Sequence, residues 1–402
     1  VRPLPEAAMN NQPTISLCMI VKNEAENIRL CLDSVKNVVD EIIIVDTGST
    51  DKTVEICREY TDKIYFFQWC DDFSAARNES IKHATKDWIL ILDADELLAP
   101  ISALNIKSLL QSTPVENEVI TPLNYEIPKA KVIEYLQTKS NIPFSLYKPG
   151  HRPVRIFRNH QGLRFTYRLH EIIDGTQFGL HKTIFQKIYL IHHGYDKSPT
   201  LTTATQKNRQ ERNLACLYRD LAEHPDDFII RFNIARELFS LTDDRWMTMM
   251  DELIADILAQ KKGDNTYSLR QIYRFYIPFL LEAKKHTKAL DITYDWIKRL
   301  QDNYDLTPYM YLGNIYLKLD RETDAQKTYE LVLQMLAKNI PLPYPEELPL
   351  IERTIYHHLG VMYACQGNYP EAEKLLLLLK TKQLLPPDEV TELLAKAKIA
   401  AG

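Results

Sequence analysis

Three carboxylates, Asp93, Asp95 and Glu96, follow directly on the apolar run Trp88 to Leu92, W-I-L-I-L. Five apolar residues that end abruptly in acid read as a buried strand delivering negative charge to one spot, and the complement of that charge is a cation. Asp93 and Asp95, with only an alanine between them, can both approach one hard divalent ion through oxygen. Mg²⁺ or Mn²⁺ held by one or two carboxylates takes other ligands from substrate phosphates, so a phosphate-bearing substrate is expected. The same D-x-D pattern occurs in acidic surface turns, and its meaning depends on what else the chain brings to that place.

The elements that would position these residues alternate strand and helix signals at short intervals, which predicts a parallel sheet. Strands are expected at Ile15 to Val21, Glu41 to Asp46, Lys63 to Phe67 and Trp88 to Leu92. Helices are expected at Asn27 to Val35, with Ile28, Cys31, Leu32 and Val35 on one face, from Ser49–Asp51 through Tyr60, and at Ser74 to Ala84. Ligands of open sheets bind outside the carboxyl ends of the strands. Three such ends carry polar groups here: Lys22-Asn23-Glu24, Asp46 with Gly48 to Asp51, and Asp93-Ala94-Asp95. Together they describe a pocket for a nucleotide with its diphosphate on a metal. A P-loop is excluded because G-x-x-x-x-G-K-[ST] is absent, and an aspartyl phosphatase would place its D-x-D on the first strand, not the fourth.

The motifs I-V-K-N-E, with Val21, then I-V-D-T-G-S-T-D-K-T, F-S-A-A-R-N-E-S and L-D-A-D-E resemble, in order, the nucleotide-sugar half of a family 2 glycosyltransferase of the GT-A fold, over residues 14 to 98. The resemblance implies a nucleoside-diphosphate sugar donor, with a lean to uridine. It implies Asp46 near the base, Glu24 and Asp51 near the nucleoside, Arg77 near the diphosphate, Asp93 near the ribose and donor, and Asp95 on the metal. Without it, Arg77 and Asn78 would read as a solvated helix face.

Between Tyr135 and His170 no residue is acidic, while Lys139, Lys148, Arg152, Arg155, Arg158, Arg164 and Arg168 are basic. That block suits a diphosphate or an anionic acceptor, or else is a solvated basic face. Pro153 to Asn159 and Leu163 to Ile172 are expected to form a hairpin about His160-Gln161-Gly162, with Arg164, Thr166, Arg168 and His170 on one face and Leu163, Phe165, Tyr167 and Leu169 on the other. Sugar transfer with inversion needs a group to take the acceptor's proton, and Arg168-Leu169-His170-Glu171 offers a His and a carboxylate. Similar family members carry an H-E pair here, which favours Glu171. Strict alternation would put Glu171 on the apolar face, so either the strand ends before it or His170 is the functional partner. After a last strand at Ile188 to Ile191 comes His192-His193-Gly194-Tyr195. Related enzymes place a metal-binding His in H-x-G-Y, which falls on His192, with His193 as the alternative, and a nitrogen ligand would favour Mn²⁺ over Mg²⁺.

From Leu201 the chain reads as helical. Tyr309, Leu312, Gly313, Tyr316, Ala325 and Tyr329 fit the tetratricopeptide pattern, and Tyr356, Leu359, Gly360, Tyr363, Ala372 and Leu376 repeat it. Tyr273, Tyr276, Leu280, Ala289 and Thr293 form a fainter copy, a Pro-rich insert runs from Pro341 to Pro349, and Asp388 to Gly402 reads as a capping helix. Such repeats hold a peptide or a protein, or join subunits as in a homodimer. The expected organisation is an extension over 1–13, a GT-A α/β domain over 14–200 and an all-α tetratricopeptide-like solenoid over 201–402. The combination resembles peptide (bacteriocin) S-glycosyltransferases, which implies a peptide or protein side chain as acceptor. A lipid-linked or polysaccharide acceptor, and a non-catalytic nucleotide-binding scaffold, are the alternatives.

At 402 residues there is room for two cores, and a formal charge of -5 gives no general affinity for nucleic acid. No run is long enough for a transmembrane span and Val1 to Pro13 lacks the apolar core of a signal peptide, so a cytoplasmic protein, able to visit a membrane surface, is expected. The six cysteines show no C-x-x-C spacing and read as reduced, small apolar residues.

Overall fold

The computed structural model describes residues 12–113, 119–144, 147, 154–159, 162–173, 183–194, 203–259, 266–299, 304–338, 342–343 and 347–399. The extension up to residue 11, Lys148, Arg152, the turn residues His160 and Gln161, Tyr195 and Pro341 lie outside the described residues. The chain divides into two compact units, one of residues 1–142 and 147–233, the other of 143–146 and 234–402.

In the first unit the strands are β1 (Ile15–Val21), β2 (Glu41–Asp46), β3 (Ile64–Phe66), β4 (Trp88–Ile91), β5 (Glu96–Leu98), β6 (Val119–Glu126), β7 (Ile156–Arg158), β8 (Phe165–Thr166), β9 (Ile172–Ile173) and β10 (Thr183–His192). Eight form one sheet in the order β3-β2-β1-β4-β7-β6-β10-β5, while β8 and β9 pair separately. The expected parallel half is present: β1 pairs in parallel with β2 and β4, and β2 with β3. Both faces of this half are covered, which is why its strands are continuous apolar runs without alternation. Ile15, Leu17, Met19, Ile42, Ile44, Trp88 and Leu90 share one core, and Cys18, Ile43, Ile89 and Ile91 the other. Helix Ile28–Val35 buries the four apolar residues expected of it.

The other half departs from expectation. β7 does not form a hairpin with the residues after it; it pairs antiparallel with β4 and β6 inside the main sheet. The stretch Leu163 to Ile172 is not one strand. It folds on itself so that Phe165 faces Ile173 and Thr166 faces Ile172, with Tyr167 (φ 68°) and His170 (φ 56°) in the left-handed region at the bends. Alternation survives in the burial of Leu163, Phe165 and Leu169. The last strand is longer than expected and runs in parallel with β6 and antiparallel to β5.

Helix Thr203–Glu223, beyond the last strand, belongs with the sheet unit, so the division falls later than the point where strand signals stop. In the second unit, antiparallel helix pairs follow the repeat pattern: Thr307–Lys318 with Glu322–Ala337, and Leu348–Cys365 with Tyr369–Thr381. Ala325, Tyr329, Leu359, Ala372 and Leu376 are buried at their crossings, and so are Tyr273, Tyr276, Leu280 and Ala289 in the fainter copy. The two glycines are there because the paired helix leaves no room for a side chain. A Cβ on Gly313 would lie 2.1 Å from the Tyr329 ring, and one on Gly360 2.8 Å from Leu376 Cδ2. The terminal helix is Pro387–Ile399.

Candidate active site

The carboxyl ends of β1, β2 and β4 meet, and their polar residues are joined to one another. Asp46, at the end of β2, accepts from the backbone amides of Gly48 and Ser49 at 3.1 Å, and the positive φ of Gly48, 107°, suits this turn to glycine. Asn23 also takes a left-handed φ of 56°, and its Oδ1 accepts from Thr50 N at 2.7 Å while its own amide donates to Ser49 Oγ. The amide of Glu24 donates to Thr53 Oγ1, and Asp51 accepts from Thr53 and from Ala25 N. Val21 is buried beneath this turn, and Lys22 is exposed beside it. Burial first, and then the charges of Asp95, Asp93 and Asp51, raise the pKa of Glu24, opposed by its bond from Asn27. These carboxylates therefore share a negative field at one end of the sheet.

Asp93 and Glu96 are held by arginine. Arg77 lies on helix Phe73–Lys82, whose start is capped by the Asp72 carboxylate accepting from Ala75 N. Its side chain turns inward and is 6 % exposed. Nη2 donates to Asp93 Oδ1 at 2.7 Å and Nε donates to Glu171 Oε1 at 2.5 Å. Arg155, 7 % exposed, donates through Nη2 to Asp93 Oδ2 at 2.7 Å and to Glu96 Oε1 at 2.8 Å. Burial opposes the charge on Asp93, but Arg155 and Arg77 outweigh it and hold this carboxyl well below the usual range. Ala94 is buried between the two aspartates. Both oxygens of Asp93, expected to serve donor and metal, thus face arginine.

Asp95 faces the other way. Because β5 runs antiparallel to β10, Glu96 lies opposite His192, and Asp95 falls beside it. His192 Nε2 is 3.2 Å from Asp95 Oδ2, and His193 N donates to the Asp95 carbonyl at 3.0 Å. Burial works against the imidazolium of His192, but Asp95, Glu96 and Asp93 raise its pKa above the ordinary value. Burial lowers the pKa of His193, opposed by the charge of Asp95. A Cβ on Gly194 would come within 1.8 Å of Asp95 Oδ2, so only glycine lets the carboxylate lie there. Among the described residues no three His, Cys, Asp or Glu side chains form a metal cage. Asp95 and His192 bring one oxygen and one nitrogen donor together, a pair whose chemistry would suit Mg²⁺ or Mn²⁺.

The strand does end before Glu171, so the alternation that set Glu171 on an apolar face does not apply to it. Glu171 is instead joined to Arg77, and through it to Asp93. The carboxylate is 13 % exposed. His170, at the bend, is half-buried.

Residues 16–188 match the family described as glycosyl transferase family 2. This unit carries a family 2 glycosyltransferase domain. Residues 353–378 match the tetratricopeptide repeat. The glycosyltransferase-bearing chain is 37 % identical over 220 residues to a TPR repeat-containing protein of Synechococcus elongatus, covering 53 % of this chain and 49 % of that one. It is 29 % identical over 278 residues to the SPbeta prophage-derived glycosyltransferase SunS of Bacillus subtilis, covering 68 % and 58 %. The chain thus spans about half the length of the curated relatives it matches. Among solved structures, glucosyl-3-phosphoglycerate synthase of Mycobacterium tuberculosis with Mg²⁺ and uridine diphosphate is 20 % identical, with a TM-score of 0.26, covering 34 % of this chain and 52 % of that one.

Sequence reasoning placed Arg155 in a basic block and did not single it out for the site. The signal was available: three acids crowded at one strand end need cations, and the acid-free block is where they come from. Two other described members of that block serve structure. Arg158 stacks on the Trp88 ring at 4.4 Å, and Arg168 pairs with Asp220 and Glu223. Among the described residues, Arg155, Arg158 and Arg168 thus enter separate pairings.

Proposed function

We propose that the chain is a metal-dependent, inverting glycosyltransferase that moves a sugar from a nucleoside-diphosphate sugar, with uridine the favoured base, onto a side chain of a peptide or protein. The observation that supports this reading is the attachment of Glu171 to Arg77, and through it to Asp93, which keeps the candidate base close to the end of β4.

The turn of Asp46, Gly48, Ser49 and Asp51, with Val21 to Glu24 beside it, would receive the nucleoside. Asp93 and Ala94 would lie along the ribose and donor, and Asp93 would fix Arg77 for the diphosphate side. Asp95 and His192 would hold the metal. Mn²⁺ or Mg²⁺ bound there would neutralise the leaving diphosphate. Glu171 takes the acceptor's proton as the acceptor heteroatom bonds to the anomeric carbon and the bond to the diphosphate oxygen breaks, with His170 at the bend beside it. A proton-accepting group of this kind contributes roughly 10²–10⁴-fold in rate. The peptide acceptor is supported by the tetratricopeptide repeats and by the resemblance to peptide S-glycosyltransferases.

The test is release of nucleoside diphosphate from a panel of sugar donors with Mn²⁺ or Mg²⁺, for the wild type and Asp95→Ala. Metal-dependent release from one donor, lost in the variant, is expected. No release together with no donor binding by calorimetry would remove the reading.

A further inference from the structure

We propose that Asp220 is a positioning residue for Glu171, acting through Arg168; the inference rests on Glu171 being the acceptor base. Segment 165–171 is attached to the Arg77 helix at three points. Asn78 exchanges two hydrogen bonds with Phe165, Nδ2 to the carbonyl at 2.9 Å and the amide to Oδ1 at 2.8 Å. The amide of Phe73 donates to the Arg168 carbonyl at 2.9 Å. Arg77 holds Glu171 itself. Between the first and last of these points the backbone bends twice through the left-handed region, at Tyr167 and His170. Neither residue is a glycine, so the segment does not favour this path by itself.

What enforces the path lies on helix Thr203–Glu223. Asp220, 3 % exposed, accepts from the backbone amide of Arg168 at 2.8 Å through one oxygen and from Arg168 Nη1 at 2.5 Å through the other. A single buried carboxylate thus fixes main chain and side chain of Arg168, the first of the two residues between the bends. Glu223 adds an exposed contact to the same guanidinium, and Asp227 accepts from Tyr167 Oη at 2.5 Å. The same helix packs on the loop before the Arg77 helix, where Cys216 Sγ donates to the Asp71 carbonyl and Arg212 lies over the Phe73 ring. Base and arginine are therefore registered against one common element.

The experiment compares Asp220→Asn with wild type in the full chain, using the best of UDP-glucose, UDP-galactose and UDP-N-acetylglucosamine with Mn²⁺. UDP affinity by calorimetry should stay within about twofold while kcat for UDP release falls at least tenfold, a change in kcat without KM that marks lost positioning. Amide hydrogen exchange over 165–173 should quicken. In a Glu171→Gln background the same substitution should give no further loss of kcat, since the two act as one unit. Arg168→Lys, which keeps the charge and the backbone bond but loses the guanidinium's bridge between Asp220 and Glu223, should behave likewise if Asp220→Asn does not fold. An unchanged kcat, or an equal loss in both backgrounds, overturns the positioning role alone. A wild type that neither binds UDP nor releases it from any of these donors overturns the proposed function and with it the inference.

Discussion

A buried arginine is tolerated only where charge meets it, and at this site each of the two buried guanidiniums meets two carboxylates. Removing one partner of such a network leaves unpaired charge in low dielectric, a loss of about 3–5 kcal/mol. Arg155→Met should therefore lower unfolding stability by about that much in urea titration, because Asp93 and Glu96 lose their shared donor. Gly194→Ala tests the metal side differently. Since its methyl would overlap Asp95 Oδ2, the variant should stay folded by circular dichroism but bind Mn²⁺ with UDP at least tenfold more weakly, as read by calorimetry. The acids and glycines of the site were legible in the sequence as strand ends followed by polar clusters. The direction of Asp93 toward Arg77 and Arg155 was not, because the spacing of D-x-D does not say which oxygen faces which neighbour.

At the scale of elements, the continuous apolar runs of β1, β2 and β4 were legible because burial on both faces leaves no other residue choice. β6 was not, since Val119–Glu126 contains Pro122, which removes a ladder donor and argues against a strand by sequence. The hairpin was misjudged because Tyr167 and His170 bend the chain without a glycine or proline to announce it. In the repeats, glycine was the legible residue. Alanine in place of Gly313 gains about 1 kcal/mol of helix propensity, but the required shift of the Tyr329 ring costs about 1–3 kcal/mol or more. Gly313→Ala should lower the melting temperature, and Gly360→Ala, whose methyl would lie 2.8 Å from Leu376 Cδ2 and 3.0 Å from its Cγ, should lower it by less. Glu41 gives a pH signature at the opposite end of the strands. Burial opposes its charge, but Lys63, Ser16 and Thr85 outweigh burial and bring its pKa from 4.5 down to about 2. A lowered folded pKa means the stabilisation is full above pH 4.5 and fades as pH falls toward 2. Glu41→Gln should be less stable than wild type at pH 7, and the gap in chemical denaturation should close on acidification through that window.

The whole chain comprises two compact units with separate hydrophobic cores. Units of this kind unfold with their own transitions, so calorimetry should resolve two, and Gly313→Ala should move only one of them. The proposed function rests on Glu171 as the base beside the exits of the sheet. Its most direct test is Glu171→Gln, assayed for donor binding by calorimetry and for turnover with the donor the wild type uses, at saturating Mn²⁺. The arrangement of Arg77, Asp93 and Glu171 predicts binding within about twofold of wild type and turnover lower by roughly 10²–10⁴-fold. Turnover at the wild-type rate would contradict it.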